Sequence, residues 1–260
     1  MKKIDLGRRE LIEVPEDLWK EIDVEGLYLH ENLFTTLPDR FGDFQRLRVL
    51  DLGHCRLIEV PWSLGRLEKL EFLYLCDNKL GSLPASLKDL SGLIYLNFSD
   101  NPLNAFPDWI GHLKNLVELR AYNAGLVSLP ESIGELSGLK ELHLQGNKLM
   151  ALPASIEGLV SLKKMNLEGN PLTALPDSIG KLEELKELNL RNNHLDFVPE
   201  SIAGMCRLEF LDLRANHLTF LPDEVGQLQN LEKLDLRWNP LVSTEGWLKK
   251  LTERGCTVYL

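Results

Sequence analysis

Residues 162–184 read LKKMNLEGNPLTALPDSIGKLEE, and this stretch of 23 residues decides the fold because its pattern recurs along the whole chain. Its apolar side chains lie at positions 1, 4, 6, 11, 14, 18 and 21, with Asn170 at position 9 and Pro176 at position 15. Eleven such repeats follow one another without insertion, the first starting at Met1 and the last at Leu231. A fixed period of this length indicates a solenoid, in which each repeat packs on its neighbours.

The spacing within a repeat predicts one strand and one short helical turn. Positions 4 and 6 are apolar between polar neighbours, which is strand alternation, so positions 3, 5 and 7 face the other side of the sheet. Strands are expected at segments such as 49–53 and 164–168. Position 15 is proline in ten of the eleven repeats and starts a tight turn. The apolar pair at positions 18 and 21 then predicts one turn of helix or 3₁₀ helix.

Position 9 predicts a row of buried amides. It is asparagine in eight of the eleven repeats, and Arg9, Cys55 and Ala124 interrupt the row. An amide offers two donors and an acceptor, so stacked asparagines can satisfy backbone groups left open inside the coil. At Ala124 we expect water or the neighbouring Asn123 to take over this role.

The pattern LxxLxLxxNxLxxLPxxIGxLxx resembles that of the leucine-rich-repeat superfamily, specifically the 23-residue intracellular subclass found in the Ras-suppressor protein, Erbin-like scaffolds and many bacterial proteins. The resemblance covers essentially the whole chain. It implies an α/β fold, a right-handed leucine-rich-repeat solenoid or horseshoe with a concave parallel sheet and short 3₁₀ or helical turns on the convex side. It also implies binding rather than catalysis, and it names no partner.

A single domain over residues 1–260 is expected, with a capping repeat at 1–23, nine regular repeats at 24–230, and a last repeat and cap at 231–260. In the first repeat Trp19 and Glu21 replace the usual Gly and Leu, which suggests an atypical capping turn. Residues 244–253 read as an amphipathic helix with Thr244 as N-cap. Its inward side chains are Trp247, Leu248 and Leu251, and residues 256–260 alternate like a closing edge strand.

Composition narrows the range of partners. The net charge of −10 argues against nucleic acid and anionic membrane surfaces. The basic residues at the start are not followed by an apolar region, and no apolar run approaches the roughly 18 residues that span a bilayer. The four cysteines include no CxxC pair and read as reduced thiols. We therefore expect a cytoplasmic monomer without cofactor or metal that binds a protein partner.

Aromatic side chains mark the predicted concave face in its N-terminal strands. They are Tyr28, Phe72, Tyr74, Tyr95 and Tyr122. Clustered aromatic residues in water suggest a binding surface. The alternative is cross-strand packing that only stiffens the sheet.

The middle and C-terminal strands carry charged side chains on the same face. Arg120 and His143 lie in the middle, and Arg191, Arg214 and Arg237 occupy position 7 of three consecutive repeats, with Trp238 following. Three stacked guanidinium groups could receive an acidic or phosphorylated segment. The alternative is a self-neutralising lattice with the aspartates at position 5, residues 212 and 235.

These observations favour a non-enzymatic interaction module or scaffold, active in signalling, that binds its partner on the concave sheet. One alternative is a bacterial effector that engages a signalling protein of a host cell. An alternative of another class is an enzyme that uses Cys76 with His54 and Asp77, or a metal held by His194 and His217, although two ligands are too few for a structural site. On the convex side, Trp62 and Trp109 suggest a second contact or packing between turns.

Overall fold

The computed structural model describes residues 2–244 and 246–260, and the chain divides into two compact units. We call them the N-terminal half, Met1–Gly125, and the C-terminal half, Leu126–Leu260. Each half is built from the same repeat, a three-residue strand followed by a loop and a 3₁₀ helix, and all strands within a half run parallel.

The N-terminal half contains six strands in chain order. They are β1 Lys3–Asp5, β2 Gly26–Tyr28, β3 Val49–Asp51, β4 Phe72–Tyr74, β5 Tyr95–Asn97 and β6 Glu118–Arg120. Each strand pairs with the next through the same three repeat positions, 3, 4 and 5. The 3₁₀ helices between them are Glu16–Lys20, Asp39–Asp43, Trp62–Arg66, Ala85–Asp89 and Asp108–His112.

The C-terminal half repeats this arrangement and adds a cap. Its strands are β7 Glu141–His143, β8 Lys164–Asn166, β9 Glu187–Asn189, β10 Phe210–Asp212, β11 Lys233–Asp235 and β12 Thr257–Tyr259. The register is again in step from β7 to β12. The 3₁₀ helices are Glu131–Glu135, Ala154–Gly158, Asp177–Lys181, Glu200–Gly204 and Asp223–Gln227, and one α-helix, α1, spans Trp247–Glu253.

Leucines at the repeated apolar positions form the core, and Leu144 and Leu167 at position 6 are fully buried, as predicted. The strands are shorter than expected because the chain bends sharply two residues beyond position 6. Position 8 adopts the left-handed conformation, with φ of 56° at His54 and 51° at Asp77. Pairing still continues past β3, since the Leu52 amide donates to the Tyr74 carbonyl at 2.9 Å.

The asparagines at position 9 form the predicted row inside the coil. Asn193 is typical: its amide nitrogen donates to the carbonyls of Leu167 at 3.0 Å and Leu190 at 2.9 Å. Its oxygen accepts from the Leu172 amide at 3.2 Å. Beside Ala124, which interrupts the row, the Asn123 amide donates to the Asp100 carboxylate at 2.9 Å.

Both caps differ in detail from the sequence-based expectation. Trp19 is buried, and its ring lies 5.6 Å from those of Phe41 and Phe44, so the first turn is closed by aromatic packing. Thr244 is not an N-cap: α1 begins at Trp247, after Gly246 with φ of 85°, and no side chain of the described residues forms a capping hydrogen bond. The predicted helix also included Glu245, which lies outside the described residues.

The inward side of the C-terminal cap is largely as predicted. Trp247 and Leu251 are buried, whereas Leu248 is half-buried. The last strand, β12, pairs with β11 in the register of the repeat, so residues 256–260 do supply a closing strand.

Candidate functional site

The five aromatic residues predicted from the sequence lie on the sheet face of the N-terminal half, and we call them the aromatic strip: Tyr28, Phe72, Tyr74, Tyr95 and Tyr122. All five are half-buried. Tyr95 lies against two of the others, with ring centroids 4.8 Å from Tyr74 and 6.3 Å from Phe72. The cross-strand packing considered from the sequence is therefore present, and it fixes rings that still present part of their surface to solvent.

Arg120 lies on β6, next to the strand that carries Tyr95. Its guanidinium lies 5.8 Å from the centre of the Tyr95 ring and donates to Glu118 at 2.5 Å. Burial raises the pKa of Tyr95 to about 12, and burial also raises the pKa of Tyr74. Both phenols therefore stay neutral at physiological pH and act as aromatic surface with a hydroxyl at the edge.

Asp51, which the sequence analysis did not single out, lies between two of these tyrosines. In the register of the sheet Tyr28, Asp51 and Tyr74 are direct neighbours on β2, β3 and β4. They line an open groove of about 540 Å³ together with side chains that include Lys3 and Phe72. Burial raises the pKa of Asp51 above that of an ordinary aspartate.

In the C-terminal half the arginine row is largely occupied by aspartates of its own strands. Arg214 binds Asp212 with nitrogen–oxygen distances of 2.9 and 3.0 Å. Arg237 binds Asp235 at 2.9 and 2.7 Å. These geometries favour the self-neutralising lattice over a row of arginines open to an acidic segment.

Arg191 differs from the other two arginines of the row. Its nearest ion-pair partner is Glu168 at 3.7 Å, and among the described residues its Nε has no hydrogen-bond partner. Its guanidinium lies 5.8 Å from the ring centre of Trp238, which Arg237 approaches to 5.6 Å. Trp238 is 64% exposed and has φ of 65°, an unfavourable conformation for a bulky residue.

His143 lies at the edge of a second groove, of about 350 Å³, on the sheet face of the C-terminal half. Its Nε2 is 3.2 Å from the Glu141 carboxylate. Phe210 lines the same groove and is 40% exposed, a candidate contact that the sequence analysis did not name. Its signal was an aromatic residue at position 3, the position that Phe72 and Tyr95 occupy in the other half.

The groups considered for catalysis are not arranged for it. Burial raises the pKa of the Cys76 thiol to about 11, so the nucleophilic thiolate is scarce at neutral pH. The His54 ring instead pairs with Asp77 at 2.9 Å.

The pair of histidines considered for a metal is stacked. The rings of His194 and His217 lie 5.3 Å apart and are 4° from parallel. Because the lone pairs of an imidazole lie in the plane of its ring, stacked rings do not direct them to one ion.

On the opposite side of the repeats, Trp62 is 52% exposed on a 3₁₀ helix. Its ring is covered by its neighbour Arg66, whose guanidinium lies 4.3 Å from the ring centre. Trp109 is half-buried. Neither observation shows packing between turns, because Arg66 lies on the same 3₁₀ helix as Trp62.

The strand, buried asparagine and 3₁₀ helix that recur every 23 residues define a leucine-rich-repeat solenoid. Family models agree: one described as leucine-rich repeat region matches residues 153–253, one described as leucine rich repeat matches 68–123 and 121–172, and another of that description matches 46–67. The chain belongs to the leucine-rich-repeat superfamily. Among curated proteins, none matches the sequence.

Solved structures with the same fold come from bacteria and plants. A leucine-rich-repeat protein of Leptospira interrogans is 27% identical, with a TM-score of 0.57, and the match covers 100% of this chain and 84% of that one. The functional domain of InlJ from Listeria monocytogenes is 22% identical with a TM-score of 0.83, covering 99% and 52%. The ectodomain of the plant membrane receptor kinase GASSHO1/SCHENGEN3 from Arabidopsis thaliana, in complex with CASPARIAN STRIP INTEGRITY FACTOR 2, is 28% identical with a TM-score of 0.60, covering 92% and 36%.

Two general statements follow. Leucine-rich-repeat domains are generally non-enzymatic modules for protein interaction, and the aromatic strip has the composition that such interfaces use. Within residues 2–244 and 246–260, none of the helices has the length and apolar character needed to cross a membrane.

Proposed function

We propose that this protein is a non-enzymatic interaction module that binds a protein partner through the sheet face of its N-terminal half, with the aromatic strip as the main contact. The observation that carries the proposal is the packing of the strip. Tyr74 and Tyr95 are held 4.8 Å apart, so little side-chain freedom remains to be lost when a partner binds. Rigid aromatic anchors of this kind are where binding energy concentrates in protein interfaces.

A reducing cytoplasm fits the chemistry of the chain as its place of action. All four cysteines are free thiols. Cys76 lies on the proposed binding face and, with its pKa raised by burial, would persist there as a protonated thiol. A scaffold role in signalling is part of the same proposal.

The partner can be captured with a photo-crosslinking amino acid placed at Phe72 on the sheet face and, as a matched control, at Trp62 on the convex side. Capture from Phe72 alone is expected. The captured protein is then produced in pure form, and its dissociation constant is measured against variants of the chain.

Tyr74→Ala and Tyr95→Ala should each weaken binding by about 1 kcal/mol or more, because both truncate a packed anchor. Trp62→Ala should leave binding unchanged. The stability of each variant is measured in parallel, since the tyrosines also pack on each other. If Trp62→Ala abolishes binding and the two tyrosine variants do not, the partner binds on the convex side and the proposal is wrong.

An acidic or phosphorylated segment of the partner is a second candidate contact, and Arg191 is the observation that favours it. Arg191→Glu should lower the association rate and flatten its dependence on salt if this guanidinium receives an anion. Arg214→Glu serves as the control, because Arg214 is already bound to Asp212 and its reversal should mainly cost stability. Equal effects of the two reversals on binding would contradict a specific role of Arg191.

A further inference from the structure

Asp51 lines the groove in the N-terminal half, and its backbone setting recurs in the C-terminal half. Its Oδ1 accepts a hydrogen bond from the amide of the residue at position 7, Gly53, at 3.0 Å. The aspartates at the same position of two later repeats make the same turn. Asp212 accepts from the Arg214 amide at 3.1 Å, and Asp235 from the Arg237 amide at 3.4 Å.

The difference between these sites is the side chain at position 7. In the later repeats it is an arginine that folds back and neutralises the aspartate. After Asp51 it is Gly53, which has no side chain to fold back. Among the described residues, Asp51 forms no ion pair with a lysine or arginine, although its side chain is only 23% exposed.

The pKa values of Asp51 and Asp235 shift in opposite directions, in agreement with this difference. Burial is the main cause that raises the pKa of Asp51, and the hydrogen bond from Gly53 and the charges of His30 and His54 offset it only in part. Burial is also the largest single cause at Asp235, but the hydrogen bonds from Arg237, together with the charges of Arg237 and Arg214, outweigh burial and hold the pKa of Asp235 below its ordinary value. Asp51 is thus a partly desolvated carboxylate without the counter-ion that its equivalents have.

The surroundings of Asp51 are suited to a cation. Tyr28 and Tyr74 flank it on the adjacent strands, and the Lys3 ammonium already lies 5.9 Å from the Tyr28 ring centre. His30 Nδ1 is 3.5 Å from the carboxylate, and within the described part of the chain this buried nitrogen has no hydrogen-bond partner. A carboxylate between aromatic rings offers both an ion pair and cation–π attraction.

We propose that this groove receives a cationic side chain, arginine or lysine, from the bound protein segment, with Asp51 as counter-ion and Tyr28 and Tyr74 on either side. The proposal rests on the proposed function and specifies its chemistry. The net charge of −10 would favour the approach of a basic segment. The nearby Arg48 does not oppose it, because it binds Glu71 through contacts of 2.8 Å to both carboxylate oxygens.

The test uses small probes and the intact protein. Acetyl-arginine methylamide and acetyl-lysine methylamide are titrated while the backbone amide resonances are followed by NMR, with acetyl-leucine methylamide as the uncharged control. At least one cationic probe should shift the resonances of Tyr28, Asp51 and Tyr74 in a saturable way. The leucine probe should not.

Two variants separate the carboxylate from its surroundings. Asp51→Asn keeps the acceptor for the Gly53 amide but removes the charge, and it should weaken probe binding by at least about ten-fold. Asp235→Asn is the matched control and should leave the dissociation constant unchanged, because that carboxylate is already paired.

Gly53→Arg provides a second test by restoring the arginine found in the later repeats. This arginine should occupy the groove and abolish probe binding. A β-carbon at this position would lie 3.1 Å from the Cys76 sulfur, so Gly53→Ala is compared for folding and should still bind the probe.

Absence of a saturable shift in the wild type, or equal binding by wild type and Asp51→Asn, would overturn the cation site. If Tyr74→Ala still weakens binding of the purified partner in that case, the proposed function stands without the cation site. If the probes bind at Asp51 but the partner is insensitive to both Tyr74→Ala and Asp51→Asn, the proposed function fails instead.

Discussion

Replacing Asn193 by alanine should cost far more stability than the loss of one polar surface group. The side chain is 2% exposed and bonds four backbone groups in two successive repeats, the carbonyls of Leu167, Leu190 and Arg191 and the amide of Leu172. The carbonyls keep other donors, namely Asn170 at Leu167, Asn216 at Leu190 and the Gly169 amide at Arg191. Alanine therefore leaves the Leu172 amide inside the coil without the partner that it has among the described residues. The unpaired amide costs about 1–3 kcal/mol and the lost bonds to the carbonyls add about 1–2 kcal/mol, so the free energy of unfolding should fall by about 2–5 kcal/mol.

Urea unfolding followed by tryptophan fluorescence gives the overall change, and hydrogen exchange shows where it arises. The Leu172 amide, which donates to the Asn193 oxygen, should exchange much faster in the variant. Asn230→Ala is the control. It removes one exposed bond of 2.7 Å, to the Cys206 carbonyl, and should cost less than about 1 kcal/mol. A loss below about 1 kcal/mol for Asn193→Ala, with unchanged exchange at Leu172, would refute the role assigned to the asparagine row.

Three further predictions concern the core, the aspartates and the thiols. Leu144→Ala should cost about 2–5 kcal/mol in urea unfolding, because it opens a cavity at a fully buried position; a cost below about 1 kcal/mol would contradict the inward assignment. Asp235→Asn should destabilise the protein at pH 7, and this effect should disappear as the pH falls through the lowered pKa of Asp235. Asp51→Asn should instead stabilise the protein at pH 7 and have no effect below the ordinary aspartate pKa of about 3.9. Thermal melts of both variants across this pH range measure whether the two effects on stability are opposite. Iodoacetamide at pH 7.5 should modify the exposed Cys206 well before Cys76, because burial raises the pKa of Cys76 to about 11. Mass spectrometry locates the label, and faster labelling of Cys76 would indicate a nucleophilic thiol at that position.

The repeated architecture could be predicted from the sequence because it depends on properties that recur every 23 residues. Alternation at positions 4 and 6, proline at 15 and asparagine at 9 each act through the backbone of their own or the adjacent repeat. Strand length could not be predicted in the same way. It depends on the left-handed turn at position 8, which residues as different as His54 and Trp238 adopt.

The binding face could be predicted only as a list of candidate side chains. The sequence places Arg214 and Asp212 two positions apart, but whether the guanidinium turns back to that carboxylate or faces solvent depends on rotamers and neighbouring strands. The structure shows that it turns back. Thr244 was a reasonable cap by residue type and failed because the backbone places Gly246 before the helix.

The two aspartate environments give the same repeat position a structural role at Asp235 and, in the proposed cation site, a binding role at Asp51. At Asp235 the protein provides its own arginine, so the charge is compensated in the free state and a ligand has little to gain there. At Asp51 the glycine at position 7 supplies no arginine to the half-buried carboxylate, and burial raises the pKa of Asp51, which disfavours its charged form in the free protein. A cation that arrives from outside relieves this cost, and the relief adds to its affinity. In the proposed cation site, glycine in place of arginine at position 7 leaves Asp51 open to a cation from a partner, whereas Asp235 is already paired with Arg237.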